Sequence, residues 1–424
     1  MGMLRSVLGS CGVSVVALGG LLGIVACGDA PTDAMAGLPR IGEARAIVPG
    51  PGLPDEYTTL RDRLGAQSNN NLDVVRHGDR VFLATRLSKD HFASSDTYLF
   101  VFSSQDEQTW RFEARFSVGS DLREPRFLSV RGELYLYFAK LGDNPLGFDP
   151  KGMLFSRRLG PASWTTPQGL YRPDEPYIPW RAKERNGSAW LITYRNGEHI
   201  YDFSGQPMTI ELLRSDDGKM FSPLRADRPA VLRGGGSEAD FEFDDRGDLY
   251  AVVRNEAGDD SGFGSKICRA SAGDLSSWTC QTDAKKYDSP LVFRHRDGLY
   301  LIGRRNVSET GDYALNPSAP WSARESALNQ LDYAGRPKRC ALWQIDRASL
   351  TVRHVIDVPG WGDTCFPSIL TPAGEAAGSA GDGPRMLVLY NYSSPLDDAE
   401  NADRAWNDAQ RRETRIYRTE IWMP

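Results

Sequence analysis

The chain is poor in histidine and cysteine, and it has no run of like charge. Its five histidines are scattered without the spacing of metal ligands, so we predict no metal ion and no other cofactor. The 50 lysines and arginines nearly balance the 56 aspartates and glutamates, and the formal net charge of -6 gives no reason to expect a nucleic acid as partner. The apolar segment 13–25 is too short and glycine-rich for a confident membrane span.

What the sequence has instead is glycine, proline and aromatic residues. Among 424 residues there are 42 glycines and 26 prolines, and 10% of the residues are aromatic. This composition is typical of many short strands joined by turns. Segment 234–260 shows the pattern most clearly, because apolar and acidic residues alternate over 241–244 before a glycine-bearing turn and a second apolar strand over 249–253. Such a pattern predicts a β-hairpin.

The same strand–turn–strand pattern occurs six times, at intervals of about 50–60 residues, which is in the range of propeller blades. The six hairpins cover residues 72–86, 126–140, 180–195, 241–254, 290–304 and 366–391. We therefore predict an all-β fold, a six-bladed β-propeller over residues 68–424. The alternative is five blades, with the longer last unit or the N-terminal region serving only as closure.

A second pattern lies later in the units. It consists of a serine, an aspartate two residues on, and an aromatic residue four positions after the aspartate. The carboxylate can accept hydrogen bonds from its own turn while the aromatic ring anchors that turn to the blade. The pattern is found at Ser104, Asp106 and Trp110 and at Ser215, Asp217 and Phe221, with partial copies at Asp274 and Trp278, at 159–164 and at 346–350.

A propeller predicts where functional side chains meet. The innermost strand of every blade starts on one face and the second strand returns to that face, so the residues at these strand ends surround the axis. Charges clustered there perturb one another's pKa values, as acid–base sites require. The inner set is Asn71, Glu124, Arg181, Glu238 with Asp240, Asp288 and Asp363, and the outer set is Arg86, Lys140, Arg195, Arg254, Arg304 with Arg305, and Asn391.

These features resemble the sialidase-like superfamily over roughly residues 70 to 420. The aspartate-bearing turns resemble its Asp-boxes in shortened form, and Glu238 followed by Arg254 matches its order of glutamate, then arginine. The resemblance implies that three arginines bind a substrate carboxylate, a tyrosine is the nucleophile, a glutamate deprotonates it, and an aspartate is the acid/base. The resemblance then implies that Glu238 is the glutamate that deprotonates the tyrosine, and that Arg254 and Arg304 are two of the arginines. It implies that Tyr392 or Tyr390 is the tyrosine nucleophile.

The chain departs from the superfamily in two respects. The Phe-Arg-Ile-Pro motif that supplies the first arginine is absent, which leaves Arg86, Arg123 or Arg181 as a substitute. Asp96 and Asp288 are both candidates for the aspartate that serves as the acid/base. The site that we predict has catalytic residues Glu238, Asp240, Asp288 and Tyr392, and substrate-binding residues Arg181, Arg195, Arg254, Arg304, Glu124 and Trp180.

Two other functions compete with an exo-sialidase-like glycoside hydrolase acting on an acidic or decorated glycan. One is a furanosidase-type propeller glycosidase that uses two or three carboxylates among Glu124, Glu238, Asp240, Asp288 and Asp363. The other is a surface lipoprotein that binds a glycan or another partner without turnover. Stacking on sugar rings would suit either function, and the aromatic candidates for it are Trp180, Tyr287 and Trp361.

The N-terminal segment predicts export. Ile24, Ala26 and Cys27 resemble the lipobox of bacterial lipoproteins, which implies a signal peptide over residues 1–26 and a lipid on Cys27. Residues 27–67 then form a tether and an N-terminal segment. Gly28 after the cysteine favours the outer membrane or cell surface of the bacterial envelope. We expect a monomer whose lipid anchor is its sole membrane contact.

The remaining cysteines predict disulfides. Four are left once Cys11 leaves with the leader and Cys27 carries the lipid, and an even number in an oxidising compartment favours disulfides over metal binding. Four cysteines allow three connectivities. We pair Cys268 with Cys280 across a short hairpin, and Cys340 with Cys365.

Overall fold

Six antiparallel sheets surround a central axis, so the chain is a six-bladed β-propeller, as the repeats predict. Five blades is wrong, because the last unit forms a sheet of its own. The computed structural model describes residues 37–372 and 385–424. The predicted signal peptide, the lipidation site at Cys27 and the loop 373–384 lie outside the described residues. Within them, no helix has the length and apolar character needed to cross a membrane.

The first strands of the chain lie on the outer edge of the last blade, and the following residues form blades 1 to 3. The entry elements are β1 (Arg40–Ile41), β2 (Arg45–Val48) and helix α1 (Asp55–Leu64). Blade 1 contains β3 (Leu72–His77), β4 (Arg80–Leu87), β5 (Tyr98–Ser104) and β6 (Arg111–Phe116). Blade 2 contains β7 (Leu122–Val130), β8 (Glu133–Leu141), β9 (Pro150–Gly160), β10 (Ser163–Trp164) and β11 (Gln168–Leu170). Blade 3 contains β12 (Tyr177–Arg185), β13 (Ser188–Arg195), β14 (Met208–Ser215), β15 (Ser222–Pro223) and β16 (Ala230–Gly234), with a 3-10 helix at Gly197–Ile200.

The remaining blades carry two inserted helices. Blade 4 contains β17 (Ala239–Phe243), β18 (Leu249–Asp259), β19 (Gly262–Ser271) and β20 (Asp274–Asp283). Blade 5 contains β21 (Asp288–His295), β22 (Gly298–Asn306), β23 (Lys338–Asp346) and β24 (Thr351–Trp361), with α2 (Ala323–Gly335) inserted before β23. Blade 6 contains β25 (Ser368–Leu370), β26 (Met386–Ser393) and β27 (Arg415–Trp422), with a 3-10 helix at Ala399–Ala402 and α3 (Trp406–Ala409) inserted before β27.

Blade 6 closes the ring. Strand β27 pairs with β26 on its inner side and with β1 and β2 on its outer side. The sheet therefore joins segments more than 360 residues apart in sequence, Arg40 lying opposite Trp422. This pairing covers the outer edge of the last sheet, which would otherwise expose unpaired backbone groups.

The second strand of each blade is packed between two neighbouring blades, which explains its sequence. In β8 the side chains of residues 134–139 are all buried, and in β13 those of residues 188–194 are. Both faces of the strand are therefore apolar, and the sequence shows a continuous apolar run instead of alternation. A charged residue follows the apolar run in five of the six second strands, namely Arg86, Lys140, Arg195, Arg254 and Arg304.

The aspartate-bearing turns have the predicted hydrogen bonds. Asp106 accepts from the backbone N–H groups two and three residues after it, both at 2.8 Å, and Asp217 does the same. The aromatic partners Trp110 and Phe221 are buried. Each carboxylate thus fixes its own turn, and each ring anchors that turn to the core.

Both predicted disulfides are present. Cys268 and Cys280 lie opposite each other on β19 and β20, and Cys340 of β23 is bonded to Cys365, which precedes β25. The second disulfide links blade 5 to the segment that enters blade 6. Two disulfides are typical of an exported protein.

Candidate active site

A cavity of about 320 Å³ opens at one end of the propeller axis. All six blades contribute to it a side chain at or near the start of the innermost strand, namely Asn71, Glu124, Trp180, Glu238, Ser289 and Phe366. Second strands of five blades add Leu141, Tyr194, Arg254, Arg304 and Tyr392. The convergence of strand ends that the repeats predict is therefore present.

A larger cavity, of about 430 Å³, lies beside the loop that follows β13 and is lined by residues that include Phe203, Asp259 and Trp321. We place the candidate active site in the axial cavity instead. Its wall holds nearly buried charged groups from blades 2, 4 and 5, and such clusters are where pKa values are shifted for catalysis.

The hairpin of blade 4 brings Glu238 and Arg254 together, as predicted. Arg254 Nη1 lies 2.8 Å from Glu238 Oε1 and 3.1 Å from Glu256 Oε2, and Arg254 Nε donates to Ser237 Oγ. The other oxygen of Glu238 accepts the backbone N–H of Ser289 at 2.7 Å. Burial raises the pKa of Glu238 in spite of the arginine beside it.

The hydroxyl of Tyr392 joins Arg304 to Asp363. Arg304 Nη2 donates to the hydroxyl oxygen at 3.2 Å, and the hydroxyl donates to Asp363 Oδ1 at 3.1 Å. Burial raises the pKa of Tyr392 well above its ordinary range, so the resting side chain is a neutral phenol. The pKa of Asp363 is lowered, because His91 and Arg304 outweigh the effect of its burial.

Glu124 is the carboxyl group whose pKa suits an acid. Its side chain is nearly buried, with 8% of the residue exposed, and burial raises its pKa to about 7. The charge of Glu238 acts in the same direction, whereas Arg126 and Arg123 oppose the shift. Asn71 Nδ2 donates to Glu124 Oε2 at 3.3 Å and holds the carboxyl group in place.

Replacing Glu124 by glutamine is expected to change how stability depends on pH. The pKa is about 7 in the folded chain and 4.5 ordinarily, so the folded chain holds this proton more tightly. The resulting stabilisation, about 3 kcal/mol, is complete below pH 4.5 and is lost as the pH rises through 7. Denaturant unfolding from pH 4 to 8 should show that the free energy of unfolding of the wild type falls by this amount relative to that of Glu124→Gln. If the free energy of unfolding depended on pH in the same way for both proteins, the raised pKa of Glu124 would be contradicted.

Arg123 is a third arginine in the cavity wall. It is one of the three arginines that could replace the arginine of the absent Phe-Arg-Ile-Pro motif. Arg123 Nε is hydrogen-bonded to Asp121, and Arg123 Nη2 donates to the backbone oxygen of His91 at 2.8 Å. Arg86, another of the three, is fully buried behind it and also pairs with Asp121, at 2.9 Å. The cavity wall thus holds Arg123, Arg254 and Arg304.

Several of the predicted site residues do not line this cavity. Arg181 is directed along the axis, with its Nε 3.3 Å from Asp240 Oδ2, and both residues are buried there. Asp288 is buried behind Arg304, 3.1 Å from its Nη1. Arg195 pairs with Glu175 at 2.7 Å away from the cavity.

Other candidates also lie elsewhere. Tyr390, two residues before Tyr392, donates to Glu107 at 2.6 Å. The hydroxyl of Tyr287 donates to Asp283, and the indole of Trp361 donates to the backbone oxygen of Pro395. Of the three aromatic residues predicted to stack on sugars, Trp180 lies in the cavity wall.

Loops supply wall residues that no sequence pattern identifies. His91, in the loop after β4, has its Nδ1 2.9 Å from Asp363 Oδ2. Trp406, at the start of α3, donates its indole N–H to Asp363 Oδ1 at 3.2 Å. Phe148 and Tyr201 complete the rim from two further loops. These positions carry no periodic signal.

Comparison with solved structures finds related propellers. A protein of unknown function from Dyadobacter fermentans DSM 18053 is similar over 85% of this chain and 96% of its own, with a TM-score of 0.56 and 13% identity. The Trypanosoma rangeli sialidase in complex with the inhibitor DANA is similar over 84% of this chain, with a TM-score of 0.52 and 11% identity. The same sialidase in complex with sialic acid gives a TM-score of 0.51, also at 11% identity.

These likenesses define the class of protein as a six-bladed propeller of the kind found in sialidases. The chain spans about half of the sialidase, 55% of its length in the DANA complex. At such identities the likeness shows the fold alone. No family model and no curated protein matches the chain.

Proposed function

We propose that the chain is a sialidase-like glycoside hydrolase acting on an acidic glycan. The observation that carries the proposal is the convergence of Arg123, Arg254 and Arg304 with Glu124, Glu238 and Tyr392 on one axial cavity. A planar guanidinium binds a carboxylate through two parallel hydrogen bonds, so arginines on a cavity wall favour an anionic sugar.

Two guanidinium nitrogens support this substrate class. Within residues 37–372 and 385–424, Arg254 Nη2 and Arg123 Nη1 donate no hydrogen bond. Arg254 Nε donates to Ser237 and Arg254 Nη1 forms ion pairs, whereas Arg123 Nε and Nη2 both donate hydrogen bonds. A substrate carboxylate would supply the acceptor. The volume of the cavity is at the lower end of the range for ligand sites, which favours a single terminal sugar over an internal chain segment.

The residues can be assigned roles in a two-step reaction. The Tyr392 oxygen bonds to the anomeric carbon as the bond to the leaving oxygen breaks, and the leaving oxygen receives the proton of Glu124. In the resting site the phenol donates its hydrogen bond to Asp363 at 3.1 Å. During the reaction Glu238 takes the phenol proton, because its raised pKa makes it a stronger base than Asp363. In the second step water displaces the Tyr392 oxygen, Glu124 takes a proton of that water, and Glu238 returns its proton to the Tyr392 oxygen.

A second candidate function is favoured by one observation. Glu124 and Glu238 each have a raised pKa, and the charge of Glu238 contributes to the shift at Glu124. Two carboxyl groups that flank the scissile bond are the usual catalysts of glycoside hydrolysis. A propeller glycosidase with paired carboxylates would use these two residues and leave Tyr392 as a wall residue.

The cellular place of the protein is also a proposal. Ile24, Ala26 and Cys27 support a lipid anchor at the bacterial envelope, and the two disulfides agree with an oxidising compartment. The aspartate-bearing turns support the sialidase-like assignment as shortened Asp-boxes.

The function is tested by turnover of chromogenic glycosides by the purified protein without residues 1–27. We expect release from a carboxylated glycoside such as a sialoside, and little or none from neutral hexosides. Release from neutral furanosides alone would favour the paired-carboxylate function. Binding of the sialoside without release would show that the chain is a glycan-binding protein and would contradict the hydrolase.

A further inference from the structure

Arg126 is a buried guanidinium that forms no ion pair within residues 37–372 and 385–424. It lies in β7 of blade 2, and none of its surface is exposed. Within the described part of the chain, Nε, Nη1 and Nη2 have no hydrogen-bond acceptor. A buried charge is ordinarily paired, and a guanidinium has five N–H donors to satisfy. An acceptor that the described residues do not supply is therefore expected at this position.

Aromatic rings cover the guanidinium without satisfying its N–H groups. The guanidinium carbon lies 4.1 Å from the ring centre of Phe366 and 5.2 Å from that of Trp180. Such rings attract a cation through their faces, but N–H groups that point away from a ring still need acceptors. The indole N–H of Trp180 is also buried and has no acceptor among the described residues. Two neighbouring side chains thus present unpaired donors.

The nearby carboxylates are already engaged. Asp240 Oδ2 accepts the backbone N–H of Val292 at 2.7 Å and lies 3.3 Å from Arg181 Nε. Asp73 accepts hydrogen bonds from the backbone of Phe127 and from the hydroxyl of Ser368, both at 2.7 Å. Burial and then the charge of Arg181 lower the pKa of Arg126 to about 9. The charges of Asp73, Glu124 and Asp240 oppose this shift only in part.

We propose that the propeller axis beneath the cavity floor binds a small monovalent anion, of the size and charge of chloride, through Arg126 and the indole N–H of Trp180. All the unpaired groups are donors, so the ligand must be an acceptor. Among the described residues no carboxylate lies within ion-pair distance of Arg126, so an anion would be its direct counter-ion. Phe366 and Trp180 belong to the cavity wall and cover Arg126, which suits an enclosed ion better than a sugar carboxylate. The proposal does not rest on the proposed hydrolase activity.

The site is tested by bromide, which replaces chloride and scatters anomalously. Crystals of the purified protein soaked in sodium bromide without any sugar should give an anomalous peak in contact with the Arg126 guanidinium. In crystals of Arg126→Met the peak should vanish while bromide peaks on the surface persist. Ordered water alone at this position, or a protein acceptor in contact with Arg126, would overturn the proposal.

A second test measures thermal unfolding of the wild-type protein, so it does not require Arg126→Met to fold well. The wild-type Tm should rise by about 1–2 °C for each tenfold increase in chloride above the dissociation constant, with gluconate keeping the ionic strength constant. Arg126→Met should not respond. The control is Arg185→Met, since Arg185 also stacks on an aromatic ring, 4.1 Å from the centre of Phe243, but is only half-buried. Equal Tm values in chloride and gluconate for the wild type would overturn the proposal.

Discussion

Replacing Glu238 by glutamine is expected to lower kcat/KM on a carboxylated glycoside by about 10²- to 10⁴-fold, the usual contribution of a general base. Glutamine has the shape of glutamate but cannot take the phenol proton. Its carbonyl oxygen can still accept the N–H of Ser289, and Arg254 keeps Glu256 at 3.1 Å. The variant should therefore fold and bind, and the loss should appear in kcat.

The measurement is a steady-state comparison with a matched variant, Glu133→Gln. Glu133 is the first residue of β8, next to the turn of the β7–β8 hairpin, and it does not line the axial cavity. Its side chain is part-exposed and lies 2.9 Å from Arg157. That change should leave kcat and KM unaltered. If Glu238→Gln retained more than about half of the wild-type kcat/KM, Glu238 would not be the base.

Replacing Tyr392 by phenylalanine is expected to lower kcat by about 10³-fold or more, because the variant has no nucleophilic oxygen. The change removes one atom that bonds to Arg304 at 3.2 Å and to Asp363 at 3.1 Å. Both partners keep other hydrogen bonds, so the fold should persist. Single-turnover kinetics on the same glycoside measures the loss.

Tyr390→Phe is the matched control for this prediction. Tyr390 lies on the same strand, and its hydroxyl bonds to Glu107 rather than to a cavity residue. This variant should keep its rate even if it loses some stability. An active Tyr392→Phe variant together with an inactive Glu124→Gln variant would contradict the tyrosine nucleophile and support paired carboxylates.

The fold could be predicted from the sequence because propeller blades repeat. Each inner hairpin combines an apolar run with a turn, as in residues 241–254, and six such units leave few alternative architectures. The helices α1, α2 and α3 were not predicted. None of them belongs to the repeated unit, and α1 and α3 are only ten and four residues long.

The site could be predicted only in part, because neighbouring residues of a strand face opposite sides. Tyr194 lines the cavity, so the next residue, Arg195, points away from it and pairs with Glu175. Strand β12 begins before residue 180 and has a register shift between Pro179 and Arg181. Trp180 consequently reaches the cavity while Arg181 is directed along the axis.

Tertiary contacts decide the remaining wall residues. His91 and Trp406 are brought to Asp363 by loops from blades 1 and 6, at positions whose local sequence has no recognisable motif. The raised pKa of Glu124 is also a consequence of assembly, since it arises from burial among blades that are distant in sequence.

The central claim is that the arginines of the axial cavity select a carboxylated sugar for hydrolysis. The measurement that tests it most directly is the ratio of kcat/KM for a chromogenic sialoside and its methyl ester, in which one methyl group replaces the negative charge of the carboxyl group. Losing the charge-assisted hydrogen bonds to Arg254 and Arg123 should lower kcat/KM for the ester by about 10²-fold. Equal values for the acid and the ester, or hydrolysis of neither, would contradict the claim.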